Sequence, residues 1–180
     1  MLQVVDVELT PNPHAIKFIL NDNLLKFESR QFSSVDQAAN DPLALGVFGI
    51  EGVVSVFYSG KFVTVEKGPA TDWGKIQRPF LTFITRFDAS TIPAEKEPEA
   101  LGEDAGEKLI KIMQILNAKV MPALANDGGG LEVLSFDDNT LKVRYQGACG
   151  TCPSATRGTL MAIEGLLKRE IDPTLNVIPE

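Results

Sequence analysis

Apolar positions recur along the chain with two distinct periods, and the switches between them mark its elements. Val4–Leu9 alternates apolar and acidic residues, the two-residue period of a strand with one buried face. Ala15–Leu20 is a second short apolar run. Thr10-Pro-Asn-Pro13 between them is a turn, because two prolines fix φ and remove ladder donors. A short helix is predicted near Pro42–Val47, then strands at Val53–Tyr58 and Lys61–Glu66 around a two-residue loop, Ser59-Gly60. Trp73, Ile76, Phe80, Phe83, Ile84 and Phe87 recur at three- and four-residue steps. That spacing predicts an amphipathic helix with Asp72 as N-cap and a kink near Pro79. The phenylalanine row 80, 83 and 87 reads as core.

Further along, Leu109, Ile112, Met113, Leu116 and Val120 share one helical face, and Pro122 should bend or restart that helix. Asn126-Asp-Gly-Gly-Gly130 is a stop and a turn. Leu131–Phe136 and Thr140–Tyr145 form a hairpin around Asp137-Asp-Asn139. A second amphipathic helix carries Leu160, Ile163, Leu167 and Ile171 on its buried side, and Leu175–Ile178 is a short final strand. Between the two periodic halves, residues 89–103 hold two prolines, four glutamates and a glycine. Such a stretch cannot build a buried face, so it reads as a linker, about 50 Å long if fully extended. The expected architecture is α+β in two small domains, 1–88 and 104–180, the second with two helices on a three-stranded sheet.

Composition narrows the function classes. Formal net charge is −7, with 8 basic and 10 acidic groups both in residues 1–90 and in 104–180. No basic patch stands out, which argues against nucleic-acid binding. Apolar runs fall far short of the ~20 residues a membrane span needs. The N-terminus resembles neither a secretory signal nor a transit peptide, so the expected compartment is the cytoplasm.

Only two cysteines occur, in Gln146-Gly-Ala-Cys149-Gly-Thr-Cys152-Pro153. Proline is favoured at the first helical position, which puts Cys152 at an N-cap. The free amides of Ser154 and Ala155 and the helix dipole then favour thiolate over thiol, and Arg157 adds positive potential. Gly147 and Gly150 let the backbone turn tightly enough to aim both sulfurs one way. Four readings stay open on spacing alone: two packed structural thiols, a dithiol oxidoreductase, a zinc site and an iron–sulfur site. Both metal sites favour four thiolates, so two copies of the chain would have to share one. A thioredoxin-like motif helix follows an early parallel strand, whereas this pair follows an antiparallel hairpin late in the chain, which weighs against redox catalysis. Elsewhere His14 reads as a surface turn residue, Asp127 as a turn residue, and Asp137 and Asp138 as hairpin-tip residues. Gly128-Gly-Gly130 lacks the Lys-Ser/Thr of a phosphate loop. No nucleophile–His–acid set can be assembled, and no enzyme activity is expected.

Residues 105–179 resemble the C-terminal domain of NifU, the Nfu-type iron–sulfur scaffold domain. Met121-Pro-Ala-Leu-Ala-Asn-Asp-Gly-Gly129, the hairpin, and Gln146-Gly-Ala-Cys-Gly-Thr-Cys-Pro-Ser154 carry the likeness. Residues 1–88 resemble the separate N-terminal domain of some Nfu proteins, through Thr10-Pro-Asn-Pro, Ile50-Glu-Gly-Val-Val-Ser-Val-Phe57 and Asp72-Trp73. The resemblance implies a scaffold or carrier that holds a [4Fe–4S] cluster between two subunits through Cys149 and Cys152. It implies a homodimer that meets upstream cluster-assembly proteins and delivers the cluster to apo iron–sulfur clients. One departure stands out: many relatives have an acidic residue after Asp-Gly-Gly, where this chain has Gly130. A zinc-bridged dimer and a dithiol oxidoreductase are the alternatives.

Overall fold

The computed structural model describes residues 1–26, 28–95, 106–150 and 155–180, with backbone alone at 155–157. The chain divides into two units, Met1–Glu97 and Pro98–Glu180, and each is described by itself. The fold is α+β, with one sheet in each unit.

In the first unit, β1 (Val4–Leu9), β2 (Ala15–Leu20), β3 (Ser29–Phe32), β4 (Val53–Ser59) and β5 (Phe62–Lys67) form an antiparallel sheet in the order β1-β2-β5-β4-β3. Alternate residues Ile16, Phe18 and Leu20, Val56 and Tyr58, and Val63 and Val65 face one core. Against them pack Leu43, Ala44 and Val47 of α1 (Pro42–Phe48) and Ile76, Phe80 and Ile84 of α2 (Gly74–Arg86). The Phe18 and Phe80 rings stack with centroids 4.1 Å apart. Of the phenylalanine row, Phe80 is core while Phe83 and Phe87 are only half-buried.

Three details depart from the pattern-based reading. The hairpin loop is Gly60-Lys61, one residue later than expected, because Ser59 pairs with Phe62. Gly60 there takes φ +52°, the left-handed first position of a type II′ turn. The N-cap of α2 is Trp73, one residue after the expected Asp72, yet Asp72 Oδ1 still accepts the Gly74 N–H at 2.7 Å. His14 is half-buried, with its Nδ1 closed off from solvent. Its turn is pinned on both sides: Asn12 Oδ1 accepts the His14 N–H, and the His14 carbonyl accepts the Lys67 N–H.

The stretch read as a linker begins as structure. Ala89–Thr91 is a 3₁₀ turn capped by Asp88. Arg30 Nη2 then donates to the Pro93 and Ala94 carbonyls, and Glu95 Oε1 accepts the Lys26 and Glu28 N–H groups. Residues 96–103 of that stretch lie outside the described residues.

The second unit opens with α3 (Glu107–Ile115), which runs through a π turn, Leu116–Val120, into α4 (Met121–Asn126). Pro122 has no N–H and its ring crowds the carbonyl of residue 118, so the backbone widens just before it. The Met121 N–H reaches back five residues to Leu116 O. β6 (Gly129–Asp137) and β7 (Thr140–Gly147) pair antiparallel around Asp138-Asn139, both at positive φ as a type I′ turn requires. α5 (Ala155–Glu170) leads to β8 (Asn176–Pro179), which pairs parallel with β7. Ile112, Leu116, Val120, Leu124, Leu141, Val143, Ile163, Leu167, Leu175 and Val177 form its core. No described helix is long and apolar enough to cross a membrane.

Candidate functional site

The cysteine turn is built by the glycines that bracket it. Gly128 ends α4 at φ +76°, and Gly147 ends β7 at φ +62°, both in the left-handed region that favours glycine. Gly129 and Gly147 are register partners. The Ala148 N–H donates to Gly128 O at 3.2 Å, and the Gly150 N–H to Gly147 O at 3.0 Å. The turn after β7 is thereby tied back to the glycine-rich turn before β6.

Within this frame Cys149 points inward. It is 4% exposed and joins the apolar core of the second unit, while Gly150 beside it is exposed. A Cβ at position 129 would meet Cys149 Sγ at 2.6 Å and Gln146 O at 2.6 Å. Residue 129 therefore has to be glycine for the sulfur to have its seat. Cys149 is buried because a thiol behaves as a small apolar group and fills the gap the glycine leaves.

Around the sulfur, polar and apolar neighbours alternate along β7. Tyr145 lies on the same face as Val143 and packs against the core. Its hydroxyl is closed off from solvent and has no hydrogen-bond partner among the described residues. Burial, together with the charge Cys149 can carry, pushes its pKa up to about 12. Gln146 faces the other way and donates to Glu132 at 3.3 Å, where Arg144 also reaches the same carboxylate oxygen at 3.3 Å. Sequence reasoning missed Tyr145, since a tyrosine at strand spacing carries no sign of where its hydroxyl ends. Cys152, Pro153 and Ser154 lie outside the described residues, as do the side chains of Ala155 and Arg157; the expected N-cap at Cys152 belongs to them. Gly130, in place of the expected acid, is a buried strand residue paired with Gln146.

The chain is a two-unit α+β protein whose second hairpin leads into Cys149, the first residue of a Cys-x-x-Cys sequence. Family models are more specific. Residues 5–91 match "Scaffold protein Nfu/NifU N terminal", and residues 112–178 match "NifU-like domain". The chain belongs to the Nfu/NifU family of iron–sulfur cluster scaffold proteins.

Among its relatives is the human "NFU1 iron-sulfur cluster scaffold homolog, mitochondrial", 32% identical over 169 residues, covering 91% of this chain and 66% of that protein. The protein of the same name from Drosophila willistoni is 32% identical, covering 91% and 59%. "NifU-like protein 5, mitochondrial" of Arabidopsis thaliana is 30% identical, covering 98% and 67%. The chain thus spans about three fifths to two thirds of these relatives' lengths. A solution structure of a NifU-like protein from Saccharomyces cerevisiae is 25% identical, with TM-score 0.43, over 51% of this chain and 87% of that one.

The relatives' names overturn the cytoplasmic expectation. All three are named as mitochondrial, which points to mitochondria rather than the cytoplasm. A low cysteine count speaks only for reducing surroundings and does not distinguish one reducing compartment from another.

Proposed function

We propose that Cys149 and Cys152 each supply a thiolate to a [4Fe–4S] cluster shared by two copies of the chain. The cluster is cargo: it is received from or built with upstream assembly proteins and passed to apo iron–sulfur proteins, with no reaction catalysed by the chain itself. One observation carries this reading. The chain has two cysteines, and a four-iron cluster held by cysteine takes four thiolates. A two-fold pair supplies that number, and two-fold symmetry is the commonest in oligomers. A shell divided between two chains also suits delivery, because separation of the pair or exchange of one thiolate lets the cluster go. Membership of a scaffold family supports the same direction. Residues 104–180 are proposed as the cluster-binding domain, and residues 1–88 as a domain that orients or recognises clients.

Anaerobic reconstitution with iron and sulfide tests this. The expected product is about one four-iron cluster per two chains, with a broad visible absorption and twice the monomer mass by light scattering. Cys149→Ala and Cys152→Ala should each abolish it. Tight stoichiometric zinc with no visible absorption, or a loaded species that stays monomeric, would overturn the proposal.

A further inference from the structure

A buried hydroxyl without a partner is uncommon, because its desolvation goes uncompensated. Among the described residues Tyr145 has one, near the end of the strand that leads into the cysteine turn. The ring packs against the same core that takes in Cys149. Besides burial, Cys149 acts on it as an ionisable neighbour. Position 145 stands in register with Leu131, two residues along β6 from the Gly129 that seats the sulfur. Tyrosine is an odd choice here if packing is all that is required, since phenylalanine fills the same volume at no polar cost.

A thiol offers a phenol little. A thiolate bound to iron is a different partner, since it carries negative charge and accepts hydrogen bonds well. Bonds to cluster sulfurs draw electron density from the iron and favour the reduced state. We infer that Tyr145 is a positioning residue whose hydroxyl donates a hydrogen bond to the Cys149 thiolate when that sulfur holds the cluster. The inference rests on the cluster-binding reading proposed above.

The two forms of the protein should then respond in opposite directions to loss of one oxygen atom. In Tyr145→Phe the cluster-free chain keeps its packing and loses an uncompensated donor, so its urea midpoint stays the same or rises. The reconstituted variant takes up a cluster, but its reduction potential falls below wild type and it yields iron to a chelator several-fold faster. A second measurement covers a variant that fails to load. The chain has two tyrosines, and Tyr58 lies in the other unit, so 3-fluorotyrosine can be incorporated throughout. A more acidic phenol donates more strongly, and the potential should rise; the same fluorinated chain carrying Tyr145→Phe should show no rise. Equal potentials and equal release rates in wild type and Tyr145→Phe overturn the inference. So does a potential that ignores fluorination. Failure of wild type itself to load would instead sink the cluster-binding reading, and the two failures are told apart by that control.

Discussion

A methyl group at position 129 would sit 2.6 Å from Cys149 Sγ, well inside any van der Waals contact, with the Gln146 carbonyl equally close on another side. Gly129→Ala must therefore push the sulfur, the turn or both. Overpacking of this kind costs about 1–3 kcal/mol, and the sulfur is the softest thing to move. The expected outcome is a folded second unit with several-fold less iron per chain after reconstitution; unchanged iron content would mean the seat is unimportant. Gly60, with nothing near its absent Cβ, gives a control in which only φ is strained. At this scale the sequence was partly legible. It singled out Cys149 and the glycines around it, because glycine at a turn and cysteine in pairs are chemically loud. It could not show that the sulfur points inward, nor that Tyr145 ends in an uncompensated hydroxyl. Both depend on how two strands and a turn close in space, and no local pattern records that.

Single side chains also join whole elements. Lys108 of α3 reaches both Asn139 in the β6–β7 turn and Asp172 beyond α5, while Asp172 also accepts from the Thr174 N–H at 2.8 Å and its hydroxyl at 2.6 Å. The hydrogen bonds from Lys108 and then Thr174 hold the Asp172 carboxyl well below the usual carboxylate range. A carboxylate depressed by folding adds stability that is fully present above the unfolded value of about 4, and the addition is lost as pH falls below it toward the folded value. Asp172→Asn should therefore lag wild type at pH 7 and close on it as pH drops below 4. NMR signals of α5 followed through urea titrations at both pH values give the comparison, and a gap that does not narrow on acidification would refute the linkage. In the first unit Asp41 caps α1 through Ala44 N–H at 2.9 Å, accepts from the Tyr58 hydroxyl and pairs with Arg30 at 3.3 Å. Burial and then Asp41 hold the Tyr58 pKa far above its ordinary value. Asp41→Ala removes the acceptor for two buried groups, so a loss of about 3 kcal/mol is expected, read from the urea unfolding of the single tryptophan, Trp73. Long periodic elements such as α2 and the β6–β7 hairpin were readable in advance. Strand β3, Ser-Arg-Gln-Phe, was not, since its one apolar residue gives no alternation to detect. The π turn before Pro122 and the parallel register of β8 were equally silent, because each answers a tertiary demand.

For the molecule as a whole, the α+β architecture with one sheet per unit followed from the two runs of periodicity and the acidic interval between them. How the chain would pair with a copy of itself did not. If each chain brings half of the ligands, cluster retention must depend on protein concentration. Serial dilution of reconstituted protein should speed loss of the visible absorption, whereas a rate that is independent of dilution would mean that one chain holds the cluster alone. The first unit has a built-in tie of another kind. Arg30 touches Glu28, Asp41 and the carbonyls of Pro93 and Ala94, and Glu95 closes the loop onto Lys26 and Glu28 N–H. Helix α1, strands β3 and β4 and the tail of the unit thus share one knot of charge. The knot couples their opening, so in deuterated water the amide protons of Lys26, Glu28 and Ala44 should show similar protection once each is corrected for its own intrinsic exchange rate.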